Sequence, residues 1–183
     1  MKKRQPNSLA IRFYGDKTLR KEAAAVTEFT DEIKDFIDDL VVTMYEKDGV
    51  GLAAPQVGRS LRIFVVDPFW FKEDHIKNPL VLVNPKLYGF LGEVELEEGC
   101  LSLSEIYETV PRAEKVIVEG MNEKGEKVKY EAEGLFARAL QHEYDHLDGI
   151  LFVDKISKLK RIFIKKKLTE LKSTTDKDGN NVG

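Results

Sequence analysis

Residues 142–146 read His-Glu-Tyr-Asp-His. On a helix, residues four apart lie one above the other, so His142 and His146 can present two imidazoles to one metal ion. Glu143, one position after the first imidazole, then sits beside the ion without binding it. A carboxylate there can take a proton from a water that the metal has acidified. The same five letters also describe two helix-face histidines with a surface glutamate, because the pattern recurs in unrelated folds. A catalytic site of this kind takes three protein ligands and keeps one position open. Asp148 and Asp154, downstream of the pair, read better as a helix-end charge and a surface group, and the only other histidine, His75, lies upstream.

The remaining soft ligand is Cys100, within EEGCLSLS (97–104). A thiolate beside two imidazoles makes a tetrahedral set, and a bound metal keeps the thiol deprotonated. A lone buried cysteine serves equally as a small apolar filler. A third segment, GVGLAAPQVG (49–58), joins three glycines to Ala53, Ala54 and Gln56. Its small residues allow close approach of the backbone to something else, and Gln56 offers a neutral amide donor. A phosphate loop would need a lysine and a helix start after it, and neither is present. A tight turn packed under a helix is the structural alternative.

These residues need elements to hold them. Ile33, Phe36, Ile37, Leu40 and Met44 recur at helical spacing, predicting a helix from Asp31 to about Asp48 with Thr30 as N-cap. Asp31 and Glu32 suit the positive end of its dipole. Segments 61–67 and 80–84 are short, rich in β-branched residues and bounded by Pro68 and Pro85, so they read as strands. Segments 115–120 and 126–131 alternate, with Asn122 to Gly125 as the turn between them. A second helix over 134–147 gathers Leu135, Arg138, Ala139, His142, Glu143 and His146 on one face, and Gly149 ends it. A third covers 156–172, with Ile156, Leu159, Phe163, Leu168 and Leu171 expected inward. Helix, several strands, helix, helix is not a βαβ rhythm. It argues an α+β fold: antiparallel or mixed β-sheets packed around a central, histidine-bearing helix, with an N-terminal and a C-terminal helix.

The chain has 183 residues, enough for one domain with a real core and too few for two ordinary ones. Residues 1–172 read as a single domain and 173–183 (STTDKDGNNVG) as a disordered tail. With 42% apolar and 33% charged residues, neither a fibrous nor a wholly disordered chain fits. A net charge of −3 gives no reason to expect a global polyanion partner. No apolar run approaches the roughly 20 residues of a spanning helix, and no apolar stretch follows the basic MKKRQPNS, so neither a membrane span nor a secretory leader is expected. The single cysteine excludes an intramolecular disulfide and suits a reducing compartment, with the cytoplasm as the expected location.

GVGLAAPQVG (49–58), EGCLS (98–102) and QHEYDHLDGILF (141–152), in this order, resemble the three signatures of the peptide deformylase family. The resemblance spans roughly residues 10–155. It implies a metal-dependent hydrolase that removes the N-formyl group from the initiator methionine of nascent polypeptides and releases formate. Carried over residue by residue, it implies that Cys100, His142 and His146 bind one divalent metal and that Glu143 is the general base and acid. Gln56 and the backbone amide of Leu101 would hold the developing oxyanion. Val50, Gly51, Gly99 and Leu135 would contact the substrate, with Val50 and Leu135 lining an apolar methionine pocket. The family is often iron(II)-dependent, so iron(II) is the expected ion in the cell, with zinc, nickel or cobalt taking its place in purified protein.

Departures from the family pattern are few. Ser104 stands where proline is common, and Arg138 where some members carry an apolar residue. Arg138 either lines the methionine pocket with its aliphatic stem or pairs with an acid outside it, and we favour the pairing. Glu98 is expected partly buried near the metal with Arg112 as its partner. Two other functions compete. A module that uses the same ligands only to hold its fold would need neither Glu143 nor Gln56, and a metalloprotease would place its third ligand downstream. Lys158, Lys160, Arg161 and Lys165 to Lys167 crowd the third helix. Such a run is usually a solvated face, and an RNA-contacting helix docked on the ribosome is the sharper alternative.

Overall fold

The computed structural model describes residues 4–173, so the tail expected over 173–183 lies outside the described residues except for Ser173, which closes the last helix. Helix α1 spans Asp31–Glu46. The Thr30 hydroxyl accepts from the Ile33 N–H at 3.3 Å, supplying the expected cap. The apolar stripe buries Phe36, Ile37, Leu40 and Met44. The chain then leaves the helix two residues earlier than expected, through Asp48 at a φ of 55°.

Five strands form one antiparallel sheet: β1 (Gly51–Ala53), β2 (Ile63–Val66), β3 (Leu80–Leu91), β6 (Lys115–Met121) and β7 (Lys127–Glu133), in the order β1-β2-β3-β6-β7. Strand β2 is buried on both faces. Ile63 and Val65 join α1 in one apolar cluster, while Phe64 and Val66 join Ala137, Leu140 and Leu147 of α2 (Gly134–Leu147) in another. That explains a continuous apolar run where a half-solvated strand would alternate. Each such side chain contributes about 1.5–3 kcal/mol relative to exposure.

Strand β3 is longer than the expected 80–84, because Pro85 does not end it. Asn84 takes a φ of 50°, and the register with β6 shifts between Val83 and Lys86. Pro85 sits in that irregularity, where the ladder does not need its missing N–H. The Asn84 amide secures the kink, accepting from the Val26 N–H and donating to the Val26 carbonyl, both at 2.8 Å.

The strands of the second sheet lie in a segment where the sequence analysis places none. Strands β4 (Val94–Cys100) and β5 (Leu103–Arg112) form an antiparallel hairpin. Its acidic outer face and the left-handed Glu105, at a φ of 61°, hide the strand pattern. Inward, Leu103, Ile106 and Val110 pack on Phe152, Val153 and helix α3 (Lys158–Ser173).

The phase of α3 differs from expectation. Its buried residues are Ile164 and Leu168, with Leu171 and the preceding Ile156 partly covered. Leu159 and Phe163 are 64% and 77% exposed. Apolar residues nearly encircle this helix, so periodicity alone does not select a face. The observed face packs Ile164 and Leu168 against Leu103, Ile106 and Val110, and the Lys160 and Lys167 ammoniums add to it by donating to the carbonyls of Thr109 and Glu105 on β5. Among the described residues no helix is long and apolar enough to cross a membrane.

Candidate metal centre

Helix α2 forms as its sequence dictates, and its pitch sets the His142 and His146 rings edge to face with centroids 5.0 Å apart. Cys100, the last residue of β4, brings Sγ to 3.3 Å from His146 Nε2. The donor atoms of Cys100, His142 and His146 all lie within 4.8 Å of one another. Tetrahedral coordination with metal–nitrogen bonds of about 2.0–2.1 Å and metal–sulfur bonds of about 2.3 Å needs ligand separations of about 3.3–3.7 Å. The cluster is therefore the right size and chemistry for a divalent transition metal, with side-chain adjustments of about an ångström or less.

The position of each donor has a cause. His142 Nδ1 faces Glu98 Oε2 at 3.2 Å, which leaves Nε2 for the cluster. Glu98 also accepts from Arg112 Nε and Nη2, both at 2.9 Å, in a two-pronged pair, and from Arg138 Nη1 at 2.5 Å. Arg112 reaches Asp145 with its remaining nitrogen. Burial works to raise the Glu98 pKa, but hydrogen bonds from His142 and Arg112 and the Arg112 charge outweigh it and hold the carboxyl well below the usual range. Arg138 further donates to the carbonyls of Val94 at 2.6 Å and Val110 at 3.0 Å. It thus joins α2 to both strands of the hairpin that carries Cys100. The expected Glu98–Arg112 pair is present. Arg138 pairs with an acid, as favoured, and that acid, Glu98, lines the cleft together with it.

That cleft has a volume of about 530 Å³, and Cys100, His142 and Glu143 line it. So do Gln56, Leu101, Val50, Gly51, Gly99 and Leu135, the remaining expected site residues. His146 lies behind them, 1% exposed, with Nδ1 lacking a hydrogen-bond partner among the described residues. Gly51 is required by contact: a Cβ there would fall 2.5 Å from Glu143 Oε1. Glu143 itself is 3% exposed, and its Oε2 has no hydrogen-bond partner among the described residues. Burial pushes its carboxyl up to about 7. Near that value one group can both accept and return a proton at neutral pH.

The Gln56 amide is oriented from both ends. Its Oε1 accepts from the Ala53 N–H at 2.8 Å, and its Nε2 points to Cys100 Sγ at 3.5 Å and Ser102 Oγ at 3.3 Å. Sequence reasoning missed Ser102, although it lies in the same short motif as the cysteine. It also missed Tyr107, whose ring covers Gly99 so closely that a Cβ there would meet it at 2.6 Å. Only the pairing of β4 with β5 brings those two together. Asp145 is a member of the same buried charge cluster.

Comparison with known proteins agrees with this geometry. A model of the polypeptide deformylase family matches residues 8–162. The peptide deformylase of Thermodesulfovibrio yellowstonii is 46% identical over 159 residues, covering 87% of this chain and 95% of that protein. The crystal structure of a peptide deformylase from Legionella pneumophila superposes with a TM-score of 0.83 at 44% identity, covering 91% of this chain and 96% of the other. That of the Thermus thermophilus peptide deformylase gives 0.81 at 42% identity, with 90% and 98% covered. The chain belongs to the peptide deformylase family.

Proposed function

We propose that this enzyme hydrolyses the N-formyl group of the initiator methionine on nascent polypeptides in the cytoplasm, releasing formate, with one divalent ion held by Cys100, His142 and His146. The observation that carries the reading is the convergence, in one cleft, of that donor set with a buried Glu143 oxygen that has no partner among the described residues. The residues before 173 act as one catalytic domain. Iron(II) is the ion we assign in the cell, on the family resemblance, and a Cys-His-His set also accepts zinc, nickel or cobalt.

The bound ion would supply Lewis acidity, polarising the formyl oxygen and acidifying a water. Glu143 accepts the proton of the attacking water as its oxygen bonds to the formyl carbon. It returns the proton to the amine nitrogen as the carbon–nitrogen bond breaks, leaving formate and a free α-amine. The Gln56 amide and the Leu101 N–H donate to the oxyanion that develops between these steps, and loss of one such donor typically costs about 100- to 1000-fold in rate. Gln56 brings no charge that would compete for the ion. Strand β1 is at the edge of its sheet, with β2 on one side only. An extended peptide would add along its open edge, with Val50 and Leu135 taking the methionine side chain and Gly51 and Gly99 admitting the backbone.

Formate release from a formyl-methionyl peptide, after anaerobic purification with elemental analysis, tests the whole reading. Glu143→Gln should keep the metal and the fold yet lose at least about 100-fold in rate. Near-parent kinetics in that variant would remove the proton shuttle.

A ribosome contact through α3 is the sharper reading of its basic face. Its support is the exposed trio Leu159, Ile162 and Phe163 flanked by cations. Not every cation is free for it, because Lys160 and Lys167 point back to the hairpin and Arg161 pairs with Asp154 at 3.5 Å. Lys165 and Lys166 changed together to Gln should weaken salt-sensitive co-sedimentation with ribosomes and leave short-peptide turnover alone. Unchanged co-sedimentation would make this a solvated face.

A further inference from the structure

The segment between β2 and β3, residues 67–79, belongs to none of the three motifs, yet it is tied to the cleft wall. The Trp70 indole N–H donates to the Gly49 carbonyl at 2.9 Å, and the Asp67 N–H to the Val50 carbonyl at 2.9 Å. Gly49 and Val50 both line the cleft. Behind these bonds sits the Asp67 carboxylate, 2% exposed. It accepts from Tyr45 OH at 2.8 Å, from the Asn78 N–H at 2.9 Å, and faces His75 Nε2 at 3.0 Å. Tyr45 stands edge-on to Trp70 with centroids 5.6 Å apart, and the Lys77 ammonium covers both rings at 4.5 and 5.2 Å.

The backbone held in this way is the one that must not move. A Cβ on Gly49 would lie 2.9 Å from Leu101 Cδ1, so Gly49 is wedged between the Trp70 segment and the residue after Cys100. Asp48, just before it, already occupies left-handed space at a φ of 55°. An edge strand has no neighbour on its open side to fix it, and 49–50 lies just before the first residue of β1. Anchoring through side chains replaces the missing neighbour.

We infer that Trp70, supported by Tyr45 and Asp67, is a positioning residue that pre-forms the 49–51 edge for an incoming peptide backbone. This rests on the strand-addition reading proposed above. A pre-formed edge spares the ordering cost of binding, so its loss raises KM and leaves the chemical step alone. The effect scales with how much peptide backbone the substrate carries.

Steady-state kinetics on the metal-loaded enzyme test it, comparing the parent with Trp70→Phe and Tyr45→Phe. The substrates are formyl-methionine amide, a formyl-methionyl tripeptide, and the same tripeptide N-methylated at the amide after methionine. Trp70→Phe keeps a ring against Tyr45 and removes the N–H together with part of the indole's apolar surface. One such bond is worth about three- to tenfold. KM for the tripeptide should rise by that factor with kcat within about twofold, while KM for formyl-methionine amide stays put. The penalty for N-methylation should shrink by the same factor, and Tyr45→Phe should follow in the same direction. Unchanged KM values, an equal rise for long and short substrates, or a fall in Tm alone would overturn the inference. A parent enzyme indifferent to N-methylation would overturn the strand-addition reading beneath it. A parent that discriminates, beside variants that discriminate equally, would remove only the role of Trp70.

Discussion

The two elements that build the candidate metal centre are held by different forces. Helix α2 is seated by apolar contact, with Ala137, Leu140 and Leu147 buried against Phe64, Val66 and Leu82 of the sheet. The β4–β5 hairpin forms its own small sheet, and on the cleft side it meets α2 through charge. Glu98, Arg112, Arg138 and Asp145 are each 8% exposed or less and form one connected cluster. Apolar packing is non-directional and tolerates small slips. A bidentate guanidinium–carboxylate pair does not, because both prongs fail together when the register shifts. The proposed ligands on the helix are spaced by the helix itself, so packing need only seat it. Cys100 must be brought to a set distance from a different element, and directional bonds do that.

The contrast is sharpest at the ligands. Cys100→Ala should abolish turnover and remove most of the bound metal, while the hairpin stays folded because the charge cluster does not involve the thiol. Elemental analysis with circular dichroism reads both, and parent-like metal content would break the comparison at its root. Next in size is Arg112→Met, which leaves Glu98 and Asp145 buried without their shared partner. It should cost about 3–5 kcal/mol in urea unfolding. A loss under about 1 kcal/mol would mean that the hairpin is held by its apolar face on α3 instead.

Ser102→Ala is smaller. It releases one contact of the Gln56 amide and leaves the Ala53 N–H bond in place. The expected loss in kcat/KM is about three- to tenfold, the worth of one neutral hydrogen bond. Smallest of all is a surface ion pair of the same chemical type as the buried cluster, Arg20 with Asp154. Burial works to raise the Asp154 pKa, but the Arg20 hydrogen bond and the Leu151 N–H outweigh it and bring it below its ordinary 3.8. A carboxyl lowered by folding stabilises the protein above its ordinary pKa, and that contribution fades as the pH falls through the folded value. Asp154→Asn should therefore cost less than about 1 kcal/mol at pH 7. The gap to the parent should narrow below about pH 3.8. A cost as large as that of Arg112→Met would erase the distinction between buried and exposed pairs.

Much of this molecule was legible in its sequence. The α1 cap and stripe, the α2 boundaries, the β6–β7 hairpin and the three motif segments came from local pattern, and the structure gathers those segments into one cleft. Strand β3 was cut short because Pro85 reads as a terminator, while the bulge that accommodates it depends on pairing with β6. Strands β4 and β5 went unread because their inward residues face α3 and Phe152, which no local window contains. The face of α3 was misjudged for the same reason, with Leu159 and Phe163 outside and Ile164 inside.

By itself the sequence determined the i, i+4 histidine pair, the glutamate beside it and the run of small residues at 49–54. Helical pitch and the absence of a Cβ are properties of the chain that hold wherever it is placed. Only the tertiary structure decided that Cys100 meets His146, that Arg138 spans from α2 to both hairpin strands, and that Trp70 holds the Gly49 carbonyl. Those contacts join residues from 21 to 46 positions apart. Their distances follow from strand register and helix seating, which are set when all the elements pack at once.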